Sequence, residues 1–255
     1  MRANDIAALG PQLANCRDFW LGWGAQDRLD DCLTYYRSGL PCSALNGVLR
    51  LQSSEHMGHW VEQATNRLAG VPWMWWVGPD SAPDVQDRLA DYGAVRVGSM
   101  PIMAVRTDQL TEIRPPRCLT IETVDGIEAL TEWVRTYSPS FGFAPQLLDD
   151  IVRCEAGRLD TSKIVRVIGR LDGEAIGTAC MFDAHGVAGI YVVTTAEAHR
   201  CQGIGAALTA AALRAGRERG ARTGTLQASR LGVPVYRRMK FQTIAEYQLF
   251  EIPAF

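Results

Sequence analysis

The sequence lacks the features of a membrane or secreted protein. No stretch approaches the ~20 consecutive apolar residues that a membrane-spanning helix needs. No apolar core of a secretory signal follows Met1 and Arg2. With 47% hydrophobic and 21% charged residues, the 255-residue chain has the composition of a soluble globular protein, long enough for one large domain or two small ones. We therefore expect a cytoplasmic protein that does not bind a membrane.

The seven cysteines form neither a disulfide framework nor a zinc-binding pattern. Their number is odd, they are scattered, and no Cys-x-x-Cys pair occurs. An extracellular disulfide scaffold and a zinc knuckle are therefore both disfavoured, and a reducing compartment is expected. His56 and His59 form a His-x-x-His pair, but no third ligand is placed with them. We predict no metal site.

The sequence also lacks the excess of positive charge that nucleic-acid binding requires. The formal net charge is −2. Four arginines do cluster at the end of a predicted helix, where cations complement the helix dipole: Arg214, Arg217, Arg219 and Arg222. Without an overall basic balance, these arginines predict a helix end, and no nucleic-acid partner is expected.

One segment carries a ligand-binding pattern. An apolar run at 189–194 is followed by a glycine-containing loop and then by an Ala-rich segment that runs to Arg219, so that strand, loop and helix succeed one another. A helix start leaves unpaired backbone N–H groups with partial positive charge, and glycines let a pyrophosphate approach them closely. The residues predicted to bind it are Arg200, Cys201, Gln202, Gly203, Ile204, Gly205 and Ala206, with Arg200 adding a cation.

Two better-known phosphate loops do not fit. A Walker loop needs Gly-x-x-x-x-Gly-Lys-Ser/Thr, and no Lys-Ser or Lys-Thr pair occurs in this stretch. The dinucleotide fingerprint Gly-x-Gly-x-x-Gly would place its third small residue at Leu208, and the strand ends several residues too early. A nucleotide-dependent oxidoreductase is therefore disfavoured. A glycine-rich turn that merely starts a helix stays open as an alternative.

The remaining pattern, Arg-x-x-Gly-x-Gly at a strand-to-helix junction, resembles the acyl-CoA signature of the GNAT (Gcn5-related) N-acetyltransferases. The resemblance extends from about Cys118 to the C-terminus. It implies an α/β fold with a mixed α+β sheet, acetyl-CoA as cosubstrate, and no metal. It also implies that backbone groups of Val192, Val193 and Thr194, in the strand before the loop, hold the pantetheine arm. One N–H of this strand would face the thioester oxygen.

The segment from Ser229 to Phe241 adds to the resemblance. Many family members read Asn-x-x-Ala-x-x-Leu-Tyr-x-x-x-Gly-Phe here, so Ser229 replaces the Asn and Lys240 replaces the Gly. Tyr236 falls where the family places the hydroxyl that protonates the departing thiolate. A phenol of pKa ~10 is a suitable donor to a thiolate whose conjugate acid is near ~8.5. The resemblance thus implies Tyr236 as catalytic acid and Ser229 as a cofactor contact; packing of Tyr236 at a helix–sheet seam is the alternative.

The chain divides near a polar segment at 107–117 that ends in Pro115 and Pro116. We place a linker there, between an N-terminal domain at 1–110 and a C-terminal acetyltransferase domain at 118–255. Each half ends in strand, helix and strand, which suggests a duplicated or paired architecture. The first half has no Arg-x-x-Gly-x-Gly, so it resembles a degenerate GNAT-like domain that shapes a substrate cleft. An unrelated α+β domain is the alternative.

The predicted elements of the second half follow the family order ββ-αα-βββ-α-β-α-β. Asp172 and Gly173 predict a hairpin turn, and Gly220 predicts the end of the helix after the loop. The positions of that helix expected to face the sheet are Ile204, Ala207, Leu208, Ala211 and Ala215.

The resemblance implies an enzyme that transfers an acetyl group to a primary amine of a small molecule, as a monomer or homodimer. A non-catalytic acyl-CoA-binding or regulatory module is the alternative, because no general base is evident. Some family members carry a Glu eleven residues before the loop arginine, where this chain has Gly189. The candidates by residue type are Glu122, Tyr137, Glu155, His185 and Glu197, and water-mediated deprotonation is equally open. The candidates for an aromatic acceptor pocket are Trp73, Trp75, Trp76, Phe141 and Phe143.

Overall fold

The computed structural model describes residues 6–24, 29–30, 32–110 and 113–252. The α-helices of these residues are α1 (Leu9–Leu21), α2 (Met57–Arg67), α3 (Val85–Asp91), α4 (Gly126–Tyr137), α5 (Leu148–Ala156), α6 (Ile204–Glu218) and α7 (Val233–Arg238). The strands are β1 (Leu29–Asp30), β2 (Leu33–Arg37), β3 (Asn46–Leu51), β4 (Met74–Val77), β5 (Val95–Arg106), β6 (Leu119–Thr123), β7 (Ile164–Leu171), β8 (Glu174–Ala184), β9 (Val187–Thr195), β10 (Thr223–Gln227) and β11 (Gln242–Glu251). They form one mixed sheet in the order β1-β2-β3-β4-β11-β5-β10-β9-β8-β7-β6.

The two halves of the chain exchange their last strands. The last strand of the first half, β5, lies between β10 and β11 of the second half. The last strand of the second half, β11, pairs in turn with β4 of the first half. The parallel pairs β3–β4 and β9–β10 occupy equivalent places in the two halves. The predicted echo of strand, helix and strand is therefore present, and each half completes the sheet of the other.

Three apolar clusters cover the two faces of this sheet. The central cluster lies under α1, α4 and α5, and it draws Phe19 and Trp76 from the first half and Trp133 and Tyr247 from the second. On the opposite face, α6 and α7 cover one cluster, while α2 and α3 cover the other. Burial of large apolar side chains is the dominant stabilising term in folding. Because the central cluster belongs to both halves, this term holds them together.

Two differences from the predicted elements concern the second half. A single strand, β6, precedes α4 in the described residues, where the family order predicted two. The buried face of α6 continues along Ala212, Leu213 and Gly216, whereas the predicted Ala211 and Ala215 are only half-buried. Gly216 packs so closely on Ala188 of β9 that a side chain at 216 would overlap it. The close contact between Gly216 of α6 and Ala188 of β9 therefore determines which face of α6 is buried.

The predicted turns have the backbone conformations that their sequences require. Asp172 and Gly173 join β7 to β8 with φ angles of 50° and 86°, as expected for an Asp-Gly hairpin. Gly220 has a φ angle of 93°, and its N–H donates to Arg217 O at 2.9 Å just after α6 ends. The left-handed cap predicted there is confirmed.

Between β5 and β6 the described residues contain neither helix nor strand. Thr107 anchors the start of this connection, since its N–H donates to Arg222 O and its hydroxyl to Ala221 O, both at 3.0 Å. The division into domains at 1–110 and 118–255 stays a prediction. Among the described residues, no helix has the length and apolar character needed to cross a bilayer.

Candidate active site

A bulge interrupts β9 where the pantetheine contacts were predicted. Beyond the pair Thr178–Thr194, β9 has one residue more than β8 before regular pairing resumes. The extra residue lies at Val192 and Val193, and Val192 has a φ angle of 52°. This left-handed conformation is strained for a β-branched side chain. A bulge disrupts the ladder locally and re-aims the backbone, so backbone groups are turned away from β8 at this point.

Two buried hydroxyl groups hold the bulge. Thr178 Oγ1 donates to Val192 O at 2.8 Å, and it lies 2.9 Å from Thr194 Oγ1. Because the Thr178 hydrogen is used by the carbonyl, Thr194 is the donor in the second bond. Each bond contributes about 0.5–1.5 kcal/mol, which offsets the roughly 1–3 kcal/mol of strain at a left-handed residue. Thr178 was missed in the sequence; its only signal was a polar residue in an apolar strand.

Next to the bulge, β9 diverges from β10. The two strands are paired between Val187–Gly189 and Thr223–Thr225, and no further pairs between them follow in the described strands. We call the gap beyond these pairs the wedge; its edges are residues 190–195 of β9 and 226–227 of β10. Gln227 Nε2, at the β10 edge of the wedge, is buried without a hydrogen-bond partner in the described structure. The wedge therefore offers backbone and side-chain groups that a ligand can satisfy.

The predicted phosphate loop leads from the end of β9 into α6. Cys201 and Gly203 have φ angles of 62° and 83°, both left-handed. No side chain of the described residues caps α6, and the N–H groups of Ile204, Gly205 and Ala206 precede the first intrahelical bond, which Ala207 N–H donates to Gly203 O at 3.0 Å. Left-handed turns that precede such a helix start gather N–H groups into an anion-binding concavity. The geometry fits a pyrophosphate.

The two glycines of the loop differ in what they require. Gly203 has a φ angle that other residues rarely adopt, so any substitution there strains the backbone. Gly205 lies in the first turn of α6, where an added Cβ would lie 3.5 Å from Thr195 Oγ1 and 4.0 Å from Val193 Cγ1. These are ordinary contacts. Nothing in the packing of the described residues demands a glycine at 205, whereas close approach of a ligand would.

Arg200 supplies a cation at the entrance of the loop. Its side chain is 46% exposed, and its Nη1 lies 3.7 Å from Oε1 of Glu197, which is 89% exposed. Its Nε donates to Thr195 O at 3.4 Å. Exposed ion pairs of this kind contribute only ~0–1 kcal/mol, so an anionic ligand can replace Glu197 at little cost. Cys201 and Gln202 are also exposed.

Tyr236 lies on α7, where it packs between the helix and the sheet. Its ring is 5.6 Å from that of Phe241, and it is 9% exposed within the cluster under α6. Burial raises the pKa of the Tyr236 hydroxyl to about 12, and an interaction with the Thr209 side chain opposes part of that rise. The hydroxyl is therefore protonated at neutral pH, as a proton donor must be. Its role as catalytic acid stays a prediction.

The departures from the family pattern near α7 have local explanations. Ser229 Oγ accepts from the Gly232 N–H at 3.2 Å and so supports the turn that enters α7. A contact from Ser229 to the cofactor stays a prediction. Lys240 has a φ angle of 71°, and Phe241 N–H donates to Tyr236 O at 3.0 Å. The turn that glycine usually makes is therefore present with lysine, at the energetic cost of a left-handed conformation.

The candidate general bases by residue type are engaged elsewhere. Buried Glu155 is ion-paired with Arg166, and exposed Glu122 with Arg170. His185 Nε2 lies 2.9 Å from an Asp18 carboxylate oxygen, in the turn at the opposite end of β9 from the bulge. Glu197 contacts Arg200, as described above. Burial raises the pKa of the Tyr137 hydroxyl well above its ordinary value, which makes it a poor base.

An apolar pocket opens beside Val192. Its walls include Phe19 and Trp23 from the first half and Phe141 and Phe143 from the second. No carboxylate or imidazole lines it in the part of the chain that the structure describes. Of the aromatic residues predicted for such a pocket, Phe141 and Phe143 do line it.

The three tryptophans predicted for the same pocket do not line it. Trp75 is fully buried in the cluster under α2 and α3, and Trp73 packs against that cluster. Trp76 is buried in the central cluster. Successive side chains of a strand point to opposite faces of the sheet, so a run of aromatic residues divides between two cores. The tryptophans that line the pocket are Trp20 and Trp23, which the sequence did not single out.

Helix α1 of the first half is bonded directly to β8 and β9. Asn15 is fully buried, and its Nδ2 lies within 3.2 Å of the carbonyl oxygens of Phe182, Ala184 and Val187. Its Oδ1 accepts from Tyr191 Oη at 2.7 Å. A Cβ at Gly189 would overlap Asn15 Oδ1. The position where some family members carry a Glu is therefore closed by α1.

The equivalent wedge of the first half is filled by its own chain. The parallel strands β3 and β4 pair only at Gly47–Met74 and Val48–Trp75 in the described structure. Beyond them, Ala82 N–H donates to Leu51 O at 2.8 Å, and Leu51 N–H donates to Ser81 Oγ at 3.3 Å. The segment after β4 thus fills the gap that corresponds to the wedge of the second half. This geometry agrees with the absence of a phosphate loop in that half.

Comparisons with known proteins agree with this geometry. Residues 127–241 match the model of the Acetyltransferase (GNAT) family. A GCN5-related N-acetyltransferase from Kribbella flavida has a similar structure, with a TM-score of 0.73 and 19% identity over 97% of this chain and 98% of that one. A tandem GNAT protein from the clavulanic acid biosynthesis pathway gives a TM-score of 0.57 and 12% identity over 98% of both chains. A search of curated proteins found no match. The segment 127–241 therefore belongs to the GNAT family of acetyltransferases, and the whole chain has the fold of a tandem GNAT protein.

Proposed function

We propose that this protein is an acetyl-CoA-dependent N-acetyltransferase that acetylates the primary amine of a small molecule. The observation that carries the proposal is the succession of bulge, wedge and phosphate loop along residues 190–206. Each of the three offers what one part of acetyl-CoA requires. The family of the C-terminal half supports acetyl transfer in general; the amine acceptor is our proposal.

The loop and the wedge would hold the cosubstrate. N–H groups at the start of α6, together with Arg200, bind the pyrophosphate, and the glycine at 205 leaves room for its approach. The free edge of β9 binds the amide groups of the pantetheine arm as an added strand would bind. The buried Gln227 amide nitrogen without a partner fits this use, because a ligand in the wedge would remove an energetic penalty.

The bulge and Tyr236 would carry the chemistry. A backbone N–H released by the bulge donates to the thioester oxygen as negative charge develops there. The amine nitrogen attacks the thioester carbon, the carbon–sulfur bond breaks, and Tyr236 gives its proton to the departing thiolate. The nitrogen loses one proton to water, and a proton from solvent restores Tyr236, so the proton balance closes.

The first half would contribute by packing against the acetyltransferase half and lining its pocket, without catalysing a reaction of its own. Its wedge is closed, while α1 lies against β9 and lines the pocket beside Val192. Among the described residues there is no cluster of three or more His, Cys, Asp or Glu side chains suited to a metal. All seven cysteines are free thiols, which fits a cytoplasmic location. We propose that the protein works there as a monomer or homodimer.

Thermal shift and amine acetylation test the proposal together. At 100 times its Kd, acetyl-CoA should stabilise the protein by about 2.7 kcal/mol, and NAD should not stabilise it. A panel of primary amines is then screened with acetyl-CoA for release of free thiol. Stabilisation without thiol release for any amine would identify a non-catalytic acyl-CoA-binding module instead. Stabilisation by NAD and not by CoA would refute both.

A further inference from the structure

The pocket beside Val192 touches the point at which the proposed reaction takes place. Val192 is the residue at which β9 bulges, and its side chain packs toward the central cluster. A group held in the pocket therefore lies next to the backbone that would face the thioester. The inference below rests on the proposed function, and it concerns which amines this site accepts.

The wall of the pocket is aromatic and aliphatic throughout. It is formed by Phe19, Trp20, Trp23, Leu45, Phe141 and Val192, with Ala44, Tyr137 and Phe143. The polar atoms of Tyr137, Trp20 and Trp23 are themselves buried. No charged side chain and no amide side chain lines it in the described residues, and the surface that it exposes is apolar. A charged group would lose its hydration there without gaining a partner, which is costly, whereas an apolar group would be stabilised.

The Phe19 ring does not offer a free face to a cation. One face of Phe19 stacks on Tyr191 with ring centroids 3.7 Å apart, and the Arg158 guanidinium lies over the Phe19 ring at 4.9 Å. Arg158 is itself paired with Asp160 at 2.9 Å. A ligand cation would need a free ring face for cation–π attraction. The stacking and the neighbouring arginine disfavour a polycationic acceptor.

The pocket is narrow, and its exposed wall is aromatic. The cavity measures about 30 Å³, room for one or two water molecules. Phe141 is 46% exposed and stacks on Phe143 with ring centroids 5.6 Å apart. Gly142 between them has a φ angle of 68°. A ring-sized group is larger than this cavity, so its entry would require displacement of the exposed Phe141 side chain.

We infer that the acceptor is a primary amine that carries an uncharged aromatic or bulky aliphatic group, which binds between the two halves beside Val192. The pocket selects against hydroxylated and polycationic amines because the surface that it exposes is apolar and no charged side chain lines it in the described residues. The first half thereby determines which acceptor is used, since Phe19, Trp20, Trp23 and Leu45 all belong to it.

Steady-state kinetics with three amines test the inference at saturating acetyl-CoA. The kcat/KM for 2-phenylethylamine should exceed that for ethanolamine by about 10- to 100-fold, and that for spermidine by a similar factor. In the Phe141→Ala variant, the KM for 2-phenylethylamine should rise by about 5- to 10-fold while the affinity for CoA is unchanged. Ile127→Ala is the matched control, because Ile127 is an exposed apolar residue of α4 that does not line the pocket.

Binding measured without catalysis separates this inference from the proposed function. Titration of the CoA complex with 2-phenylethylamine should change tryptophan fluorescence, since Trp20 and Trp23 line the pocket. If 2-phenylethylamine binds and Phe141→Ala weakens the binding, but no amine is acetylated, the result supports the pocket as a binding site and refutes the proposed acetyltransferase activity. If ethanolamine or spermidine is acetylated best, or if 2-phenylethylamine does not bind, the inference about the pocket is overturned. Whether the protein transfers acetyl groups is then decided by the thiol-release screen alone.

Discussion

Replacement of Thr178 by valine tests whether two hydroxyl groups hold the backbone of the site in shape. The substitution keeps the side-chain volume and removes only the hydroxyl. That hydroxyl donates to Val192 O and accepts from Thr194 Oγ1, and both threonine side chains are buried. Two groups therefore lose their partner: the buried Thr194 hydroxyl and the part-buried Val192 carbonyl.

The expected loss of stability follows from these two contacts. A buried polar group left without its partner costs about 1–3 kcal/mol, and the strained φ angle of Val192 loses the bond that offsets it. We expect a decrease of about 2–4 kcal/mol in the free energy of unfolding. For a chain of this length, each 1 kcal/mol lowers Tm by roughly 2–4 °C. Urea unfolding and differential scanning calorimetry both measure the change.

The control is Thr225→Val, on the neighbouring strand β10. Thr225 is also fully buried, but its hydroxyl has no partner in the described structure, so its removal should leave unfolding unchanged or slightly stabilise the protein. If Thr178 acts through the bulge, Thr178→Val also lowers kcat/KM for acetyl-CoA by at least ~10-fold. The reasoning would be refuted if the free energy of unfolding of Thr178→Val lay within ~0.5 kcal/mol of the wild-type value and its kcat/KM for acetyl-CoA were unchanged.

Four further predictions address the cofactor site and the turn after α7. Gly205→Ala should fold normally, because an added Cβ meets only ordinary contacts, but calorimetry should find its CoA affinity strongly reduced; unchanged affinity would mean that the loop only starts a helix. CoA should bind with one site per chain, since the first-half wedge is filled, and a calorimetric stoichiometry of two would contradict this. Tyr236→Phe should lower kcat by ~10²–10⁴-fold with the Kd for CoA unchanged, and normal turnover would make Tyr236 a packing residue. Lys240→Gly should stabilise the fold by ~0.5–1 kcal/mol in urea unfolding, because glycine adopts the φ angle of 71° without strain; a loss of stability would show that the lysine side chain contributes more than the strain costs.

The features of this site that the sequence predicts are those encoded by neighbouring residues. The glycine loop, the hairpin at Asp172 and Gly173, and the cap at Gly220 each depend on a few consecutive residues whose backbone preferences are strong. The strand, helix and strand at the end of each half are likewise local patterns of apolar residues. Such patterns predict whether a segment is a helix or a strand, but they do not predict which other strand a given strand pairs with.

The remaining features depend on residues far apart in the chain. Asn15 contacts backbone and side-chain groups of residues 182–191, on a strand pair of the other half. The exchange of β5 and β11 likewise joins distant strands, and several pairings satisfy the same alternation of apolar residues. The bulge depends on Thr178, one residue in the neighbouring strand. None of these partners is marked by spacing in the sequence, so only the three-dimensional structure reveals them.

The closed position at Gly189 and the apolar pocket bear on the same step of the proposed reaction. Because α1 lies against Gly189, no carboxylate can stand where some family members carry one. The same helix contributes Phe19 and Trp20 to the pocket. The ammonium group of an acceptor whose apolar part fills this pocket would be partly desolvated at the pocket entrance, which lowers its pKa and favours the neutral amine that must attack. We therefore expect the first half to replace a general base by desolvation, so the rate should depend on the pKa of the acceptor amine more steeply than in a relative that has the carboxylate.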